Sequence, residues 1–177
     1  MAMTCGRKAR GDVRPTMGRV LAAIFNILGA RVEGAVFLDL YAGTGAVGVE
    51  AMSRAASMVY MVDADAVRIR ELQALLGDCG CRGRAQVAGM RAEQFLSRAK
   101  RDALVFDIVF LDPPYEAGEL ARVLPVLGEG TLLAEGATVL AEHERRTELA
   151  ETFGALRKVK AYRYGDTMLS MYRKEAS

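Results

Sequence analysis

The sequence predicts an α/β fold of the Rossmann-like kind, a doubly wound, mostly parallel sheet closed at one edge by a C-terminal antiparallel hairpin. Three observations carry this. Short apolar runs alternate with helical stretches between residues 36 and 142, the pattern of repeated strand–helix–strand units. A glycine-rich turn, Gly43–Gly45, directly follows the first of those runs and opens a helix. Near the end of the chain two apolar-aromatic runs are split by Tyr164-Gly165-Asp166, as a hairpin would be.

Residues 1–13 are polar, glycine-containing and aperiodic, and read as a basic arm ahead of a single domain spanning 14–177. Pro15 suits the first turn of a helix, with Val20, Leu21, Ile24, Phe25 and Leu28 on its apolar face and Gly29 at its end. Val36–Leu40 is then a buried strand, Ala46–Arg54 a helix and Met58–Val62 a second strand. A helix over Ala66–Leu76 stops at Gly77, and a weaker strand at Ala85–Ala88 precedes a helix at Ala92–Arg98. Phe106–Leu111 is the strongest strand pattern, cut short by Pro113 and Pro114. A helix around Glu119–Leu127 and a strand at Thr138–Glu142 follow, then the hairpin of Ala155–Tyr162 and Thr167–Tyr172. Ligands of such sheets bind at the C-terminal strand ends, so Leu40, Val62 and Leu111 point to the site.

Length and composition fit this reading. The 177 residues are 51% hydrophobic and 26% charged, which suits an ordinary globular domain and not a disordered chain. No apolar run reaches the roughly 18 residues of a membrane span, and the N-terminus carries no signal-peptide pattern, so the cytoplasm is the expected location. No metal is expected: Cys79 and Cys81 have only distant Cys5 and His143 to complete a ligand set. The net charge of +2 is unevenly spread. Arg7, Lys8, Arg10, Arg14 and Arg19 crowd the N-terminal end, and Arg157, Lys158, Lys160, Arg163, Arg173 and Lys174 the C-terminal end. Converging on one face, they would attract phosphates. His143, among charged neighbours, reads as a surface residue, and Arg145 and Arg146 as a solvated helix start.

Two motifs carry chemistry. In Asp39-Leu40-Tyr41-Ala42-Gly43-Thr44-Gly45-Ala46-Val47-Gly48, the glycines at 43, 45 and 48 fit a dinucleotide-binding spacing, and Asp63 ends the second strand where a ribose-binding acid belongs. This motif implies a nucleoside site without choosing between a nicotinamide dinucleotide and S-adenosylmethionine. The second motif, Asp112-Pro113-Pro114-Tyr115, follows the strongest strand. It sets a carboxylate, a rigidly extended backbone carbonyl and an aromatic ring together at the sheet's open edge. An exocyclic base amine is a poor nucleophile because its lone pair is delocalised into the ring. Two acceptors can turn that lone pair toward an electrophile while the ring holds an extruded base by stacking. The motif fits a guanine amine, an adenine amine or an amide side chain alike.

Asp112-Pro113-Pro114-Tyr115 resembles the (N/D)-P-P-(Y/F) signature of amino-methyltransferases, and the run from Leu38 to Arg54 is similar to a block of the RsmD family, bacterial 16S rRNA guanine-N2 methyltransferases. Arg14-Pro15-Thr16 with Arg19-Val20 and Phe25–Leu28 resembles that family's first helix, and Tyr164–Thr167 with Leu169–Tyr172 its closing hairpin. The resemblance implies a class I methyltransferase, acting as a monomer on ribosomal RNA within an assembling or assembled small subunit. It implies S-adenosyl-L-methionine as cofactor, with Ala42, Gly43 and Gly45 at its methionine part, Asp39 ordering that loop, Asp63 and Ala64 at the ribose, and Arg91 and Ala92 beside the adenine. Asp112, Pro113, Pro114 and Tyr115 would hold the amine, and Arg7, Lys8, Arg10, Arg14 and Thr16 would meet RNA. The sequence departs from the family's pattern at Gly18, Leu21 and Ala22 in the first helix, at Leu75, at Arg91 in place of an acid or amide, and in its short arm, where residues 6–11 resemble a remnant of a hairpin.

Overall fold

The computed structural model of the chain describes residues 15–78, 83–114 and 118–176, with side chains in the first helix from Gly18 onward. Helix α1 (Pro15–Leu28) leads through a 3-10 turn into strand β1 (Val36–Asp39). Then come α2 (Ala46–Ser53), β2 (Met58–Asp63), α3 (Ala66–Asp78), β3 (Ala85–Gly89), α4 (Ala92–Arg101), β4 (Phe106–Leu111) and α5 (Glu119–Gly128). The chain closes with β5 (Leu133–Glu144), β6 (Thr152–Phe153), β7 (Leu156–Tyr164) and β8 (Thr167–Lys174). The eight strands form one sheet in the order β3-β2-β1-β4-β5-β8-β7-β6. Pairing is parallel from β3 through β5 and antiparallel from there to β6.

Alternation along the strands divides the core into two layers. Phe37, Val59, Met61, Ile108 and Phe110 face α1, α2 and α3, while Leu38, Val62, Val109 and Leu111 face α4 and α5. The apolar face read from α1 is the one buried: Ile24, Phe25 and Leu28 are almost wholly covered, and Phe25 stacks on Phe37 with ring centroids 6.3 Å apart. Each such side chain stabilises the fold by about 1.5–3 kcal/mol through burial. Leu21, one of the departures in this helix, packs against the same layer.

Three sequence expectations change here. The strand expected at Thr138 begins at Leu133, because exposed Glu135 and Gly136 interrupt the apolar pattern where the β4–β5 register shifts near Phe106. His143 is not a surface residue. It is 6% exposed, its Nε2 lies 2.8 Å from Ser170 Oγ and its Nδ1 lies 2.9 Å from the Glu144 carbonyl. With Nδ1–H donating to that carbonyl, Nε2 accepts from the serine hydroxyl, and burial pushes the imidazole below its usual range. Its charged neighbours obscured this because strand alternation turns them away from the buried side. Arg145 and Arg146 start no helix: they form an exposed turn, in which the Arg145 amide donates to the Asp166 carbonyl at 2.9 Å. Arg7, Lys8, Arg10, Arg14, Cys5, Cys79 and Cys81 lie outside the described residues, as does the 1–13 arm, and of Thr16 only the backbone, within α1, is described.

The two-residue strand β6 was not legible, and it depends on glycine. The Ala155 amide donates to the Gly128 carbonyl at 2.8 Å, and a methyl group added at Gly128 would run into the Phe153 carbonyl. That obstacle is backbone, which cannot rotate away. Gly128→Ala is therefore expected to destabilise the protein by about 1–3 kcal/mol, read as a lower midpoint in urea unfolding at unchanged slope; an unchanged midpoint would mean that α5 and β6 separate without cost.

Candidate active site

Because β1, β2 and β4 run parallel and in close register, their C-terminal ends open on the same edge of the sheet. The loop after β1 is tied down at once: the Leu40 amide donates to the Phe110 carbonyl at 3.1 Å and the Ala42 amide to the Val62 carbonyl at 2.8 Å. The Gly43 amide donates to Asp63 Oδ2 at 2.9 Å, and Asp63 Oδ1 accepts from the Asp65 amide at 2.8 Å. Gly43 and Gly45 hold φ of 51° and 79°, a left-handed backbone that disfavours any side chain. At Gly43 an added methyl group would stand in open space, whereas at Gly45 it would strike Leu72. The first glycine thus leaves room on the cleft side, and the second lets α2 start close against α3.

The result is a cleft of about 560 Å³ lined by Leu40, Tyr41, Gly43, Asp63, Ala64, Met90, Arg91, Ala92, Glu93, Asp112, Pro113, Pro114, Glu119 and Arg122. Both motifs therefore meet in one place. Of the residues expected at a cofactor, Gly43, Asp63, Ala64, Arg91 and Ala92 border the cleft. Asp39, Ala42 and Gly45 lie behind it: all three are buried and none lines its wall. Of the transfer motif, Asp112, Pro113 and Pro114 line the cleft, and Tyr115 falls outside the described residues. Arg91 is the exposed residue ahead of α4, and its backbone amide donates to Gln94 Oε1 at 3.2 Å.

Sequence reasoning missed one wall. Tyr41 donates its hydroxyl to Glu119 Oε2 at 3.1 Å, Glu119 pairs with Arg122 at 3.3 Å, and Arg122 lies 4.0 Å from Glu93. This chain of contacts joins the β1 loop, α5 and α4 across one side of the cleft. Burial, then the Glu119 charge and hydrogen bond, push the Tyr41 hydroxyl well above its ordinary range, so it remains a donor. The aromatic Tyr41 just before the glycine turn and the i,i+3 spacing of Glu119 and Arg122 were the available signals.

Carboxylates gather at the cleft and behind it. Asp112 is open to the cleft, yet crowding by its walls raises its pKa to about 6. Asp39, 1% exposed, is pushed to about 7 by burial first and then by the charges of Asp112 and Asp63. The amides of Gly48 and Tyr41 face Asp39 and temper that rise, but neither carboxyl oxygen completes a hydrogen bond. Glu142, half-buried on β5, is raised to about 7 by burial and by Asp112.

The basic C-terminal strands contribute less free charge than the sequence suggested. Arg157, Lys158 and Lys174 are paired with Glu175, Glu151 and Glu135, and Lys174 also donates to the Leu133 carbonyl at 3.0 Å. Lys160 lies over the Tyr162 ring, 4.9 Å from its centroid, and Arg163 reaches the Gly165 carbonyl. Among the described residues, no carboxylate pairs with Lys160, Arg163 or Arg173.

A parallel sheet continued by three antiparallel strands, with a glycine turn after β1, an acid ending β2 and Asp-Pro-Pro ending β4, defines the Rossmann-like methyltransferase fold. The chain belongs to the family described as Conserved hypothetical protein 95, matched over residues 7–173. YlbH of Bacillus subtilis is 37% identical over 163 residues, covering 92% of this chain and 89% of that one. Ribosomal RNA small subunit methyltransferase D of Escherichia coli is 33% identical over 132 residues, covering 75% of this chain and 65% of that one. The solved structure of yhhF from Escherichia coli matches with a TM-score of 0.81 at 29% identity, covering 93% of this chain and 89% of that one. Among the described residues no helix is long and apolar enough to cross a membrane.

The state of Asp39 is measurable through stability. Its carboxyl rises from an ordinary 3.8 to about 7 in the folded state, so the folded protein holds the proton more tightly than the unfolded chain. Its contribution to stability is therefore intact below pH 4 and is lost as pH climbs toward 7. Asp39→Asn is expected to be more stable than the parent at pH 8 by about 1–3 kcal/mol, with the difference vanishing near pH 4. Denaturant titrations at both pH values check this, and a pH-independent difference would show that folding does not raise the Asp39 pKa.

Proposed function

We propose that this protein transfers a methyl group from S-adenosylmethionine to the exocyclic N2 of a guanine in small-subunit ribosomal RNA. The observation that carries the reading is that Asp112 and Pro113 share one cleft with Gly43 and Asp63, in a chain whose relatives include ribosomal RNA small subunit methyltransferase D. S-adenosylmethionine, which a solved 16S rRNA N2 G1207 methyltransferase of this fold holds, supplies an electrophilic methyl carbon when bound.

The residues present fit that cofactor. The open space at Gly43 admits a polar chain close to the backbone. Asp63 spends one lone pair on each oxygen and keeps others for a diol. Ala92 and Met90 offer an apolar wall to a flat ring, while Arg91 has no acceptor and serves by stacking. On the acceptor side, Asp112 takes one amine N–H and the Pro113 carbonyl takes the other, which fixes the lone pair's direction. With a pKa near 6, Asp112 is mostly ionised at neutral pH and takes up the proton that the amine gives up once it is methylated. Tyr115 stacks on the base.

Methyl transfer into small subunits from a strain lacking this protein, followed by mapping of the modified nucleotide, tests the reading. Asp112→Ala is expected to abolish transfer while keeping cofactor affinity within about tenfold, or ~1.4 kcal/mol. The acid limb of kcat/KM should bend near pH 6, activity being lost below it as Asp112 takes up a proton, and Asp112→Asn should remove that bend. Tyr115→Ala should cost far more activity than Tyr115→Phe, because stacking needs the ring and not the hydroxyl. Near-normal turnover by Asp112→Ala would sink the mechanism.

The described domain alone offers too little surface to pick a single guanine from naked RNA by sequence, which favours a folded ribonucleoprotein surface as the substrate. Binding should weaken steeply with salt as Arg7, Lys8, Arg10, Arg14, Lys160, Arg163 and Arg173 displace counterions. Deleting residues 1–13 is expected to flatten that dependence in a filter-binding titration and to leave cofactor binding unchanged. A slope identical to that of the full chain would remove the arm from the interface.

A further inference from the structure

Strand β5 lies beside β4 with Ala141 level with Leu111, so the next residue on each, Glu142 and Asp112, stand side by side at the sheet's open edge. Ala141 points into the layer under α4 and α5, which turns Glu142 toward the α1 side, while Asp112, just past the last residue of β4, lines the cleft. Leu169, the β8 partner of Glu142, lies in that α1-side layer, as the alternation requires.

Glu142 differs from the other half-buried acids of the described chain. Glu50 accepts from Arg54, Asp63 from the Gly43 amide, Asp107 from the Val36 amide and Glu119 from Tyr41. Among the described residues Glu142 alone of these has no hydrogen-bond or ionic partner, and the charge that acts on it is the like-signed Asp112. A carboxylate left this way is costly unless a ligand brings it a donor. Behind it, Asp39 adds a second carboxyl with both oxygens unpartnered, so this edge of the sheet has acceptors in excess of donors.

We propose that Glu142 is a specificity residue of the acceptor pocket, accepting the ring N1–H of the guanine whose exocyclic amine is held by Asp112. This rests on the guanine reading above. Guanine presents an N–H on its ring and an amine beside it, two donors in a row, and two adjacent carboxylates are complementary to that edge. Adenine and cytosine set a ring nitrogen with a bare lone pair next to their amine. That lone pair would face the Glu142 carboxylate, a repulsion that rejects the wrong base as well as favouring the right one. The motif at 112–115 fits any planar amine, so its neighbour on β5 supplies the choice among them. The carboxyl's raised pKa of about 7 agrees with a group poised to gain from a donor.

The test replaces the guanine that wild-type protein methylates with 2-aminopurine, which keeps the amine but bears a bare lone pair at N1. The RNA is rebuilt by splint ligation and assembled into small subunits. Wild-type protein should prefer guanine by about a hundredfold or more in kcat/KM. Glu142→Gln, whose amide can accept from one base or donate to the other, should lower that preference at least about tenfold, with cofactor affinity and melting temperature near the parent's. Any loss of the guanine O6 contact is common to both proteins, so the change in ratio reports on N1. A ratio unchanged in Glu142→Gln, whether activity is retained or falls equally on both bases, overturns the proposal. Wild-type protein that methylates no guanine in any small subunit overturns the functional reading itself.

Discussion

Parallel pairing of β1 with β2 and β4 is the constraint from which the site follows. Strands that run the same way and stay in register must end on one edge, and every crossover then leaves from that edge. The loops after β1, β2 and β4 meet there with no further instruction, and a few backbone bonds finish the work. The amides of Leu40, Ala42 and Gly43 each reach a different strand's end, to Phe110, Val62 and Asp63. A one-residue slip of β1 would send Asp39 to the opposite face and break all three.

The same edge concentrates negative charge. Asp39, Asp63, Asp112 and Glu142 crowd around the C-terminal ends of β1, β2, β4 and β5, and burial raises three of them. A fold selected for stability alone would not gather acceptors and leave two carboxyls without donors. The free energy that this arrangement costs in the isolated protein is recovered by any ligand that brings N–H or O–H donors to it. Stability and function pull against each other at this edge, and the helices on both faces supply the difference.

Much of this was legible in the sequence, and the reason differs from element to element. Helix α1, β4 and the glycine turn declare themselves because periodicity, proline placement and left-handed glycines are local properties. Cleft residues Gly43, Asp63, Ala92 and Asp112 were legible because motif and strand end coincide. His143 and Glu142 were not, since burial of one and isolation of the other depend on β8, which returns from far along the chain to pair with β5. Asp39 sits in a recognised motif, yet its place behind the cleft reflects the loop folding over it, which no linear pattern encodes. The contact chain from Tyr41 through Glu119 and Arg122 to Glu93 draws on three separated segments, and β6 exists only because Gly128 and Gly154 allow two backbones to touch.

The outer side of the sheet ends abruptly. Strand β6 covers only the first residues of β7, and the Lys158 amide still donates to the Glu151 carbonyl at 2.7 Å, but from Val159 to Tyr164 that strand's rim has no backbone partner among the described residues. Exposed rims of this kind recruit other chains and seed aggregates. Here the rim bears Lys160 and Arg163, and its pairing with β8 is offset between Lys158 and Lys160, where Val159 is exposed. Like charges repel a second copy of the strand, and the irregular backbone denies it a continuous ladder. The rim thereby keeps its positive charge exposed on the side where it refuses its own kind.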